Sequence, residues 1–317
     1  MSVRHLLSGF SASFLVILLC GLWVSDEFES ATAPLIKVQT DAKRRAVRAR
    51  QFEAVPGRER VVFLGDSRLA SGLIPREFDR ALRGRTTTVN LALPRHGVAR
   101  FLYQLKDYAR AYGAPDYIVL ALSVEAGTRG ERIDGAGMIE MMDYIIQDGF
   151  AWWPSGFGLR GVGIPEVRRL RRLRAERERA IAEMIAAQGV FWWVNKERGL
   201  PADFTAPPAG ASPSEDAAWS AVQSSTFRLL DYAAAIGSQV LLVSTPAREG
   251  SGLTSGEAPA SVREILQRYA NVRQPLGGWQ RPIYANAEFF DRGHLNERGA
   301  QHYTGDVARE FQTIFPR

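Results

Sequence analysis

The chain alternates between apolar runs and segments with helical spacing, and that rhythm carries most of what the sequence says about the fold. Val61–Leu64, Thr86–Leu93, Tyr117–Leu122 and Val240–Ser244 are apolar or β-branched runs of strand length, and Pro282–Phe290 contains a fifth, shorter one. Tyr117–Leu122 (YIVLAL) is continuously apolar, as a parallel strand covered on both faces requires. Between the runs lie segments with 3.6-residue spacing: Pro75–Leu82, Val98–Tyr112, Ser214–Ile236, Ala260–Tyr269 and Asn296–Phe315. In Val98–Tyr112, Phe101, Leu102, Leu105, Tyr108 and Ala109 fall on one face. Strands alternating with helices predict an α/β fold, a flavodoxin-like three-layer sandwich with a mainly parallel sheet of about five strands.

Two stretches depart from the rhythm. Leu6–Val24 is a largely apolar run without charge, about one bilayer span, with Arg4 before it and Asp26, Glu27 and Glu29 after it. It predicts an N-terminal transmembrane helix with the following chain outside the cytoplasm. A cleaved signal peptide competes, but the only Ala-x-Ala candidate for its cleavage, Ala31-Thr32-Ala33, lies well beyond the apolar run and precedes Pro34. The second stretch, residues 126–213, is an insertion rich in glycine, tryptophan and arginine. It holds Trp152-Trp153, Trp192-Trp193 and a basic helix over Pro165–Ala187. The expected organisation is a membrane anchor over 1–24, a basic stalk over 25–59 and a catalytic domain over 60–317 with the insertion inside it. Asp41–Gln51 (DAKRRAVRARQ) is expected to form a basic helix within the stalk.

Composition changes this picture little. At 317 residues, 46% apolar and 23% charged, the chain is ordinary for a globular protein. The formal charge of +6 comes mostly from arginine and suits solubility or an anionic neighbour, either lipid or polymer. No nucleic-acid module or paired metal-ligand motif occurs, so neither nucleic acid, metal nor cofactor is expected. The single cysteine, Cys20, forms no intramolecular disulfide and leaves the compartment to the N-terminal run.

Candidate chemistry collects at the expected carboxyl ends of the strands, where parallel sheets of this kind bind ligands. The first strand runs into Gly65-Asp66-Ser67-Arg68, the second into Asn90 through Gly97, and the fifth into Asp291-Arg292-Gly293-His294. A serine becomes a nucleophile when a base takes its proton. Asp291 and His294, three residues apart before a helix, suit a carboxylate that holds one imidazole nitrogen while the other faces Ser67. Ser67, His294 and Asp291 are therefore the expected catalytic residues. Asp66 is expected to fix its loop by accepting backbone hydrogen bonds, and Arg68 either faces solvent or holds an anionic substrate group.

These segments resemble the SGNH/GDSL hydrolase superfamily. Gly65-Asp66-Ser67 matches its first block, Asn90–Gly97 is similar to the second, and Asp291-x-x-His294, followed by Leu295-Asn296 and a helix, matches the last. The resemblance implies serine-dependent acyl transfer, with an oxyanion held by backbone amides of Ser67 and Gly97. Where the third block has Gly-x-Asn-Asp, this chain has Ser123-Val124-Glu125-Ala126-Gly127, so Ser123 or Asn90 is the candidate for the missing side-chain donor. The anchor, Leu64–Arg68 and the altered third block look like a membrane-anchored branch that acts in cell-envelope polymer acylation, of the alginate acetylation or D-alanylation type. That likeness implies an extracytoplasmic O-acetyltransferase or esterase on a polysaccharide. It would be held in the bacterial inner membrane through residues 6–24 and would work beside a multispanning membrane O-acyltransferase. A non-catalytic polysaccharide-binding or assembly subunit on the same scaffold is the alternative.

Overall fold

The computed structural model describes residues 35–94, 97–122, 164–190, 199–201, 215–250, 260–276, 278 and 281–317. The expected transmembrane segment 6–24 lies outside the described residues, as do Ser123 and both tryptophan pairs. Among the described residues no helix is long and apolar enough to cross a membrane. Contacts divide the chain into two units. The smaller joins Met1–Gln39 to Gly135–Ile181, and the larger, Thr40–Asp134 with Ala182–Arg317, holds the sheet and the predicted site.

In chain order the described elements are α1 (Leu35–Arg48), β1 (Glu59–Leu64), α2 (Ser67–Gly72), α3 (Pro75–Ala81), β2 (Thr86–Asn90), α4 (Val98–Tyr112), β3 (Tyr117–Ala121) and α5 (Ile164–Ala186). They continue with α6 (Glu215–Ala235), β4 (Gln239–Val243), β5 (Ala247–Arg248), α7 (Ala260–Arg268), β6 (Val272–Arg273), β7 (Ile283–Tyr284), a 3₁₀ turn (Asn286–Glu288) and α8 (Glu297–Ile314).

The main sheet has five strands in the order β2-β1-β3-β4-β6, and every neighbouring pair is parallel. Counted within the sheet this is the doubly wound order 2-1-3-4-5, whose crossovers place helices on both faces. Strand pleating sorts the core accordingly. Val62, Leu64, Ile118, Leu120, Val240 and Leu242 join the apolar layer formed with Phe101, Leu105, Leu230 and Ile265 of α4, α6 and α7. On the opposite face Phe63 packs edge-on to Phe78 of α3 at 5.1 Å, and Phe78 meets Phe311 of α8 at 5.3 Å. Elements with clean patterns form where expected: α4 has the predicted bounds, and β1, β3 and β4 lie within two residues of theirs.

Two expectations are corrected. The fifth strand of the sheet is β6, not the segment before Asp291. Ile283–Tyr284 instead pairs with Ala247–Arg248 in a separate two-stranded ladder. β6 makes only two register pairs with β4, too few residues to write an apolar run into the sequence. The second correction concerns the stalk. From Thr40 onward α1 belongs to the large unit, where Ala42, Ala46, Val47 and Phe52 are buried. Arg48 meets buried Asp107 of α4 at 3.1 Å, and the Phe52 N–H donates to the Tyr112 hydroxyl at 3.0 Å. The apolar spacing Ala42, Ala46, Val47 is what binds this helix, and the basic residues around it mask that spacing.

Candidate active site

Ser67 stands just past the carboxyl end of β1, between strands β2 and β3, where the strand order reverses and a doubly wound sheet opens its crevice. Gly65 ends the strand against Leu69: a Cβ there would lie 2.8 Å from the Leu69 Cδ2, so a side chain at this position requires Leu69 to shift. Asp66 caps α2 and accepts from the Arg68 N–H at 2.9 Å, the role its sequence position suggests. Ser67 is therefore the first residue of α2. Its N–H is one of those that a helix start leaves without an intrahelical partner.

The partner segment is a closed loop. Phe289 and Leu295 form an isolated antiparallel bridge, the Phe290 N–H donates to the His294 carbonyl at 2.8 Å, and the Asn296 N–H donates to the Glu288 carbonyl at 3.0 Å. Asn296 then caps α8 by accepting from the Gly299 N–H at 3.0 Å, and its carboxamide donates to the Ala287 carbonyl at 2.7 Å. Asp291 and His294 sit on the loop so anchored. The Asp291 Oδ1 accepts the N–H groups of Gly293 and His294, each at 2.9 Å, which sets the carboxylate before the imidazole meets it.

The three expected residues come together. Both Asp291 oxygens lie 2.9 Å from His294 Nδ1, and His294 Nε2 lies 2.8 Å from Ser67 Oγ. With Nδ1–H donating to the carboxylate, Nε2 carries its lone pair toward the serine hydroxyl. Burial alone would raise the Asp291 pKa. The hydrogen bonds from the His294 ring and from the N–H groups of Gly293 and His294 outweigh it and hold the carboxyl below its ordinary value. Asp291 is thus ionised at neutral pH and accepts from the His294 ring. The His294 and Asp291 side chains are 23% and 46% exposed, so the array opens to solvent on one side.

The remaining predicted residues separate. Gly97 is the residue before α4, at the carboxyl end of β2, with its backbone extended at φ −86°. Its amide and that of Ser67 both stand at helix starts, where partial positive charge collects. Asn90 is corrected: its side chain is not an oxyanion donor. It is fully buried, Nδ2 donates to the carbonyls of Leu69 in α2 and of Leu73, the residue that caps α2, at 2.9 Å each, and Oδ1 accepts the Ala92 N–H at 3.0 Å. The carboxamide clamps α2, the helix that Ser67 opens, to the segment at Ala92. Arg68 donates to the Thr245 hydroxyl at 3.1 Å, just beyond the end of β4, and lies alongside Gly293. Ser123 lies outside the described residues. Tyr303 of α8, a residue the sequence did not single out, donates to the Ser244 carbonyl at 2.7 Å and packs beside Gly72, joining the end of β4 to α2. Among the described residues no cluster of His, Cys, Asp and Glu is arranged to hold a metal ion.

No protein-family model matches this chain, and no curated protein matches its sequence. The chemistry of the site therefore rests on its residues.

Proposed function

We propose that this protein is a serine-dependent acyl-transfer enzyme, an O-acetyltransferase or carbohydrate esterase acting on a cell-envelope polysaccharide or exopolysaccharide. The observation that carries the reading is the 2.8 Å approach of His294 Nε2 to Ser67 Oγ, with His294 Nδ1 held by Asp291. Ser67 Oγ attacks the carbonyl carbon of an acyl ester while His294 Nε2 takes its proton. The oxyanion that forms is met by the amides of Ser67 and Gly97. Collapse of the tetrahedral intermediate expels the donor's alkoxide, which leaves with the proton from His294. An acyl-serine remains. A sugar hydroxyl or water then gives its proton to His294 and attacks the acyl carbon, and Ser67 Oγ leaves and regains that proton. A sugar acceptor completes O-acyl transfer, and water completes hydrolysis.

Likeness to the SGNH/GDSL superfamily at Gly65–Ser67 and Asp291–His294 supports this chemistry. The apolar run 6–24 supports an extracytoplasmic site tethered to the inner membrane, beside a multispanning membrane O-acyltransferase as acyl supplier. The test is intact-mass analysis of the full-length chain treated with an activated acetyl ester. An acetyl adduct that maps to Ser67 and is lost in Ser67→Ala is the expected result. Turnover that survives Ser67→Ala, or a folded wild type that forms no adduct yet binds polysaccharide, refutes the enzyme in favour of a binding subunit. Adding candidate glycan acceptors to the acetylated chain then separates transfer from hydrolysis.

A further inference from the structure

A lysine with no surface exposure stands close behind the site. Lys43 of α1 is 0% exposed, and its Nζ donates to the Ala92 carbonyl at 2.7 Å. Ala92 lies where β2 continues past its last regular residue. The flanking Leu91 and Leu93 N–H groups donate to Phe63 and Gly65 of the β1 segment at 2.9 and 3.0 Å. The two polar groups of Ala92 therefore face away from β1. Asn90 Oδ1 takes its N–H, Lys43 takes its carbonyl, and no backbone N–H among the described residues reaches that carbonyl. Five residues further on is Gly97.

We propose that Lys43 is a positioning residue for the acyl-transfer site: its amine fastens the Ala92 carbonyl and so fixes the segment that presents the Gly97 amide to the oxyanion. The inference rests on the acyl-transfer reading for its catalytic half. Its structural half stands on the bond to Ala92. Burying an amine is costly, and a methionine of similar length would pack in the same place without that cost. What methionine lacks is the donor. Burial lowers the Lys43 pKa well below the ordinary lysine value, toward a neutral amine that still donates a hydrogen bond. Asn90 and Lys43 thus hold one peptide from its two sides, and Asn90 also grips α2. The helix that Ser67 opens and the peptide at Ala92 are joined by one connected set of bonds, whose outermost member comes from α1.

Lys43→Met in the full-length chain removes the donor and keeps the volume. Its melting temperature is expected close to that of the wild type, because relief of the buried amine offsets the stranded Ala92 carbonyl. Amide exchange at Leu91, Ala92 and Leu93 is expected to rise about tenfold or more, with distant amides unchanged. With an activated acetyl ester, kcat falls by about tenfold or more, within the roughly 10²–10³-fold that outright loss of an oxyanion donor costs. KM stays within about twofold, because the ground-state carbonyl does not need that amide. Lys43→Gln, which keeps a neutral donor, is expected to retain more of kcat than Lys43→Met, and it carries the exchange measurement if the methionine variant does not fold. Unchanged exchange at 91–93 together with unchanged kcat in a folded variant overturns the proposal. A wild type that is never acylated at Ser67 sinks the catalytic half along with the acyl-transfer reading, while the exchange measurement still decides whether Lys43 holds the segment.

Discussion

Replacing Asn90 tests whether its carboxamide braces the site or serves it directly. The side chain makes three hydrogen bonds, all buried: two donated to the Leu69 and Leu73 carbonyls and one accepted from the Ala92 N–H. At about 1 kcal/mol net for each, with the stranded backbone groups pushing the total upward, Asn90→Ala is expected to lose about 3–4 kcal/mol of stability. That leaves a domain of ordinary stability, about 5–15 kcal/mol, still folded at room temperature. For a urea slope near 3 kcal/mol per molar, the unfolding midpoint drops by about 1 M or slightly more. Asn90→Asp is the sharper variant. It keeps the volume and the acceptor for Ala92, but it sets an oxygen against two carbonyl oxygens, so it should destabilise at least as much as alanine despite being isosteric. Urea unfolding followed by fluorescence, in parallel with ester hydrolysis, gives both readouts. A folded Asn90→Asp of wild-type stability that has lost turnover would falsify the brace and return Asn90 to the substrate.

The other predictions concern single groups. Asp291→Asn should lower kcat by roughly 10⁴-fold, through loss of the carboxylate that orients His294, while the fold survives; a loss under tenfold in steady-state hydrolysis removes Asp291 from the catalytic set. Because the folded Asp291 pKa is depressed, its stabilising contribution is present above the unfolded value of about 3.9 and is lost as pH falls through the folded value, so Asp291→Asn should soften acid unfolding below about pH 4; its half-exposed side chain keeps the effect modest. Lys43 gives a slope of the same sign at higher pH. Between its lowered folded pKa and about 10.4 the unfolded chain binds a proton the native one does not, so stability should rise with pH by up to about 1.4 kcal/mol per unit, a slope that urea midpoints should show absent in Lys43→Met. Gly189→Ala places a Cβ 2.2 Å from the Asn90 carbonyl oxygen at φ +91°, and should cost about 2 kcal/mol or more, read as a lowered melting temperature.

The sequence made the Ser67–His294–Asp291 array legible because each part is local. Gly65-Asp66-Ser67 follows an apolar run that can only be a strand. The Asp291–His294 spacing is a loop closed by its own backbone bonds, with Asn296 starting the next helix. What stayed hidden depends on partners far away in the chain. The donor role offered for Asn90 does not hold, because its carboxamide is spent on the carbonyls of Leu69 in α2 and of Leu73 just past that helix. Lys43 reads as one more cation in AKRRAVRAR until the Ala92 carbonyl, 49 positions later, is placed against it. The same holds for β6, whose two residues carry no periodicity and belong to the sheet only because β4 is beside them.

The outer margin of β2 has a bearing on how the chain can be shortened. Thr88 donates its N–H to Asp79 at 3.1 Å, and Asn90 donates its own to the Gln188 carbonyl at 2.8 Å, with Gly189 lying against the Asn90 carbonyl. Gln188 and Gly189 lie inside the long insertion, just past α5. Cutting out 126–213 as a dispensable decoration would strip that seal and leave a parallel strand with bare hydrogen-bonding groups, an invitation to intermolecular strand pairing. A trimmed variant that keeps 182–190 should stay monodisperse, whereas one that removes them should aggregate. Residues 182–190 are therefore the sheet's own selvedge, woven in from the segment that looks most removable.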